Sequence, residues 1–76
     1  MKEFLSFIVK HIVDNPDEVH INMIDGEQSI ILELRVAKSD MGKVIGRHGL
    51  NAKSLRTLLT AASAKTGKRA MLEILE

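Results

Sequence analysis

The sequence predicts a two-layer α+β domain in the order α-β-β-α-α-β, with a three-stranded sheet and its helices packed on one face. Three observations lead there. Residues 2–14 repeat apolar side chains at helical spacing. Residues 19–37 alternate apolar and polar around a glycine-containing turn. Residues 39–75 then run helix, glycine loop, helix, strand. At 76 residues, positions 1–76 make a single small domain.

The first helix is read from Phe4, Leu5, Ile8, Val9, Ile12 and Val13, which line one broad stripe, with Phe7 off its centre. Asn15-Pro16 ends it, because the residue before a proline is pushed out of the helical region. Val19, Ile21 and Met23 then share one face of a strand whose other face carries His20 and Asn22. Asp25-Gly26 is a turn dipeptide. Beyond it Ile30, Leu32, Leu34 and Val36 face one way and Ile31, Glu33 and Arg35 the other, which completes an antiparallel hairpin with one buried face.

Ser39 is placed to cap the next helix, with Asp40 at the positive end of its dipole. That helix covers about 40–45 and runs into Gly46. Another opens near Leu50 and turns Ala52, Leu55, Leu58, Leu59 and Ala62 inward, with Lys53, Arg56 and Thr60 outward. Thr66-Gly67 stops it, and Ala70 to Leu75 reads as the last strand.

Hydrophobic residues make up 45% of the chain, enough for one core, and the absence of cysteine leaves packing to hold it. The N-terminal apolar run is too short and too interrupted for a secretion signal. No segment approaches the ~18 apolar residues of a membrane span.

Net charge is +1, but its distribution is uneven. From Leu34 to Leu72 nine basic residues face one acid, Asp40, for a net +8; the remainder carries −7. Separation this complete predicts a side facing a polyanion. Within the basic half lies Lys43-Val44-Ile45-Gly46-Arg47-His48-Gly49. Glycines bracket a basic tip between two helices, where another chain can come close to bare backbone. Free amides at a helix start favour phosphate, and arginine suits phosphate oxygens. The arrangement describes a clamp for a sugar-phosphate backbone.

With helices and strands in this order, this loop resembles the GXXG loop of a KH domain, which clamps about four backbone nucleotides. The order matches the type II, prokaryotic arrangement. "DNPDEV", "DMGKVIGRHG", "RTLL" and "GKRAMLEI" are similar to stretches of the small stand-alone bacterial KH proteins of the KhpA type, and the likeness covers the full chain. It implies a cytoplasmic, non-catalytic protein that binds single-stranded RNA as a chaperone or post-transcriptional regulator. It also implies self-association, or pairing with a larger protein carrying its own KH domain.

Carried onto this chain, the motif falls on Gly46, Arg47, His48 and Gly49. The +8 segment puts Arg47 and Lys43, with the loop amides, on the phosphate, and Lys53 and Arg56 flanking. An aliphatic groove for bases would come from Val44, Ile45, Ala52, Leu55 and part of the 30–36 strand. Ala52, smaller than the common residue there, makes that groove shallow. The only aromatics, Phe4 and Phe7, lie on the first helix, so base stacking of the RRM or OB kind is excluded near the basic surface. If His48 reaches a phosphate, binding should tighten as pH falls from neutral towards about 5.5. Replacing Gly46 and Gly49 with Asp should keep the fold and abolish binding.

Rival readings have less support. Gly42 and Gly46 are spaced GxxxG, and neither GxGxxG nor GxxxxGK[S/T] occurs, which argues against a nucleotide-binding enzyme. His11, His20 and His48 match no zinc spacing, so no metal or other cofactor is implied. Ser54 and Ser63 read as helix surface, without a base partner. The competitor is a protein-interaction module without nucleic acid, since Phe7, Leu50, Leu58 and Leu59 exceed what one small core needs. The two readings are compatible, because a dimer would present two clamps to one strand.

Overall fold

The computed structural model describes all 76 residues and has the expected element order. Helix α1 spans Lys2–Ile12 and buries Leu5 and Val9. Val13 is extended, and Pro16 opens a single 3₁₀ turn, Pro16–Glu18, as its fixed φ favours. Strands β1 (His20–Asp25) and β2 (Ser29–Arg35) form the antiparallel hairpin, closed by the Gly26 amide on the Ser29 carbonyl at 2.8 Å. Helices α2 (Met41–Ile45) and α3 (Leu50–Ser63) follow, and β3 (Arg69–Leu75) pairs parallel to β2. The sheet order is β1-β2-β3, so the second strand in sequence is the central one.

That placement explains the core. Ile30, Leu32 and Leu34 on β2, with Val36 just beyond it, are buried against Leu5, Val9, Val44, Leu55, Leu59 and Leu72. A central strand is paired on both edges and covered by helices, so its alternating side chains are removed from water completely. Each such side chain contributes about 1.5–3 kcal/mol of gross burial. β1 is an edge strand. Ile21 is half-buried and Met23 exposed, although their register with Leu34 and Leu32 puts them on the covered face.

Two expectations about buried faces are corrected. Phe4 is exposed, leaving Leu5 and Val9 as the centre of the α1 stripe, with Ile8 and Ile12 half-buried beside them. On α3 the buried set is Ala52, Leu55, Leu59 and Ser63, while Leu58 is 44% exposed and Ala62 lies on the surface. Ser63 therefore belongs to the interior and not to the helix surface. Its hydroxyl donates to the Thr60 carbonyl at 3.0 Å, and this local bond lets a polar side chain be buried. Gly67 is left-handed at φ 72° and ends the helical stretch as expected. No helix is long and apolar enough to cross a membrane.

Candidate nucleic-acid interface

The turn between α2 and α3 is built on three successive constraints. Gly46 has φ 76° and ψ 172°, a region open essentially to glycine alone. A Cβ there would also lie 2.7 Å from the Asn51 side chain and 2.9 Å from its amide nitrogen. His48 is left-handed at φ 56° and ψ 25°, and Gly49 follows at φ 73° and ψ 13°. Asn51 Nδ2 donates to the Lys43 carbonyl at 2.8 Å, tying the end of α2 to the start of α3. Sequence reasoning missed Asn51. The signal was a polar side chain two residues past the second glycine, within reach of the unpaired carbonyls that end a helix.

The loop amides divide into used and free. Gly46 donates to Gly42 at 2.8 Å, Gly49 to Gly46 at 3.1 Å, and Leu50 to Arg47. The amides of Arg47 and His48 have no acceptor within the chain. The bare donors are thus at the tip and not on the two glycines. The glycines supply the backbone path that turns those donors outward.

The flanking cations are not equivalent. Arg47, His48 and Lys53 are exposed. Lys43 is engaged by Asp14, Nζ to Oδ2 at 2.8 Å, and lies 3.9 Å from Asp40. The hydrogen bond and charge of Asp14 raise its ammonium above the ordinary lysine value. Arg56 leans towards β3, with Nη2 3.5 Å from the Leu72 carbonyl.

Of the residues expected to line an aliphatic groove, Val44, Ala52 and Leu55 are buried, as are Ile30, Leu32 and Leu34 of β2. The accessible aliphatic surface beside the loop is Ile45 and Leu50, the latter 57% exposed. Leu50 and Lys53 line one shallow concavity together with Ser54, Thr57 and Leu58.

Asp40 departs most from expectation. Neither it nor Ser39 makes a side-chain capping bond to a helix. The Asp40 carboxylate is buried and accepts from the Asp14 amide at 3.1 Å, the Asn15 amide at 3.0 Å and Asn15 Nδ2 at 3.0 Å. Burial alone would raise its pKa, but these donors, with Lys43, outweigh it and hold the carboxyl below the ordinary value. Asp40 thereby fastens the α1–β1 connection to the helix that leads into the glycine loop. Its being the lone acid among nine bases was the one available sign of a special role.

The histidines stay apart on α1, β1 and the loop, and His11 Nδ1 lies 2.7 Å from the Phe7 carbonyl. No group of three or more His, Cys, Asp or Glu side chains is placed to hold a metal.

A glycine turn joining two helices, on a mixed three-stranded sheet preceded by its own helix, is the arrangement of a type II KH domain. The family model for the KhpA/KhpB KH domain matches residues 2–74. The chain belongs to the KhpA/KhpB KH-domain family. Among its relatives, the RNA-binding protein KhpA of Borreliella burgdorferi is 58% identical over 97% of this chain and 90% of its own. That of Clostridium acetobutylicum is 55% identical over 99% of this chain and all of its own. That of Chlamydia trachomatis serovar D is 49% identical over the whole chain and 97% of its own. No solved structure matches the chain.

Proposed function

We propose that this KhpA/KhpB-family chain, acting as one KH module, binds single-stranded RNA without catalysis. The carrying observation is the loop tip, where the free amides of Arg47 and His48 stand beside exposed cationic side chains. A phosphate seated there accepts from both amides and from the Arg47 guanidinium. Lys53 holds a neighbouring phosphate, and Ile45 and Leu50 give bases an apolar rest. With no aromatic platform, affinity is modest and sequence preference weak. That the relatives are named RNA-binding proteins supports the reading. The cellular role that fits is an RNA chaperone or post-transcriptional regulator in the bacterial cytoplasm, working as a homodimer or with a larger KH-domain protein.

Gly46→Asp is a poor test, because its Cβ collides with Asn51 and would rearrange the loop. Gly49→Asp is the better one. A Cβ at Gly49 meets nothing within 4 Å, and Asp tolerates the left-handed region better than most residues. Titrated against a labelled single-stranded oligonucleotide, Gly49→Asp should retain the wild-type circular dichroism and lose at least about tenfold in affinity, since its carboxylate repels phosphate. Undiminished binding by the folded variant would refute the clamp.

The second reading, an interaction module without nucleic acid, is favoured by exposed Phe7, Leu50 and Leu58. It predicts self-association of the wild type with no response to the oligonucleotide.

A further inference from the structure

Lys43 is held at both ends. Its Nζ meets Asp14 Oδ2 at 2.8 Å and stands 3.9 Å from Asp40, while its carbonyl accepts from Asn51 Nδ2 at 2.8 Å. Asp14 is itself fastened, because its amide donates at 3.1 Å to the buried Asp40 carboxylate. The pair is nevertheless open to solvent, with the Lys43 side chain 45% and the Asp14 side chain 72% exposed. Lys43 lies three residues before Gly46, ~4.5 Å of helix rise. A flexible four-carbon stem covers that distance. Of the four basic residues set around the loop, Arg47, Lys53 and Arg56 have no carboxylate partner and Lys43 has two.

We propose that Asp14 withholds Lys43 from RNA, its carboxylate occupying the ammonium in the place a backbone phosphate would take, and so limits the grip of the glycine loop. The inference rests on the RNA-binding reading above and adds to it a residue, outside the loop, that sets affinity. Carboxylate and phosphate oxygens compete for the same donor, since both are anions that accept charge-assisted hydrogen bonds. Asp14 has the advantage of attachment. Its backbone is bound beside α2, so it meets Lys43 at a high effective concentration, whereas a phosphate has to be brought there. Asp40 adds a second negative charge at 3.9 Å. A strand arriving at the loop therefore finds Arg47, Lys53 and Arg56 free and Lys43 already neutralised. Because the pair is open to water, the competition amounts to a few-fold in affinity and not to orders of magnitude.

Titration of a labelled single-stranded RNA oligonucleotide with the full chain tests this, and circular dichroism checks that each variant is folded. Asp14→Asn keeps the backbone donor to Asp40 and removes the charge on Lys43. It should bind about two- to fivefold more tightly than the wild type. Its log–log salt slope should steepen from about −2 to about −2.8, as one more phosphate is neutralised. Lys43→Ala should change the wild type by less than about twofold, yet in the Asp14→Asn background it should erase the whole gain. Asp17→Asn removes an equal charge from an exposed side chain that holds no cation, and salt screening should leave its affinity nearly that of the wild type. The proposal is overturned if Asp14→Asn binds no more tightly than the wild type. It is equally overturned if the gain survives Lys43→Ala or is matched by Asp17→Asn, since net charge and not Lys43 would then be responsible. A wild-type slope already at about −2.8 also overturns it. In all these cases the wild type still binds, so the RNA-binding reading stands; a wild type that does not bind removes both.

Discussion

Asp40 sits fully buried in the basic half of the chain, and its three donors come from Asp14 and Asn15 in the α1–β1 connection. The hydrogen bonds from Asp14 and Asn15, with Lys43 nearby, outweigh burial and hold its carboxyl below the ordinary carboxylate value. The stability it contributes is therefore complete above that value and is lost as pH falls through the lower folded-state value. Asparagine in its place keeps one acceptor and turns an NH₂ towards amide donors. Asp40→Asn should therefore melt below the wild type at pH 7, with the gap closing as pH is taken below the ordinary carboxylate range. Melting curves across that range measure it; a constant gap would show that the charge contributes nothing. In the sequence, Ser39-Asp40 reads as a helix start because local capping rules are all that a short window contains. The acceptor's true partners are 25 and 26 residues away. Gly46 and Gly49 were legible for the opposite reason, since a junction between two helices demands positive φ there whatever surrounds it.

Helix α3 shows the same division at the scale of an element. Its existence, start and stop were readable from periodicity, Gly49 and Gly67. Its rotation was not. Ala52, Leu55, Leu58, Leu59 and Ala62 fit a stripe as well as Ala52, Leu55, Leu59 and Ser63 do, and composition favours the first set. The left-handed backbone at His48 and Gly49 sets the phase with which the helix leaves the turn, and that phase selects the second. Leu59→Ala should cost about 3 kcal/mol, as for a fully buried leucine, whereas Leu58→Ala should cost under about 1 kcal/mol, as for a surface change. Chemical denaturation of both variants checks the assignment. Comparable losses would mean that Leu58 is covered in solution by another chain.

Across the whole molecule, the +8 segment is less available than its sum suggests. Asp14 and Asp25, from the acidic half, hold Lys43 and Lys68. The cations left beside the loop are Arg47, Lys53 and Arg56, none of them in an ion pair. If each neutralises one phosphate, the log–log salt dependence of RNA binding should have a slope of about −2, at roughly −0.7 per phosphate for single strands. Oligonucleotide titrations at four or five salt concentrations give the slope. A flat plot would remove phosphate contact from the mechanism, and a slope near −3 would mean that Lys43 leaves Asp14 when RNA arrives.

The sequence by itself determined the element order, the two-layer architecture, the glycine turn and the basic half around it. All of these follow from hydrophobic period, turn chemistry and charge counted along the chain, which are local or additive properties. Only the tertiary structure decided which lysines are already paired, which loop amides are bare, which face of α3 is buried and what Asp40 holds. Most of those depend on residues far apart in sequence meeting at distances of about 3 Å, and a hydrogen bond is lost once donor and acceptor separate beyond about 3.5 Å.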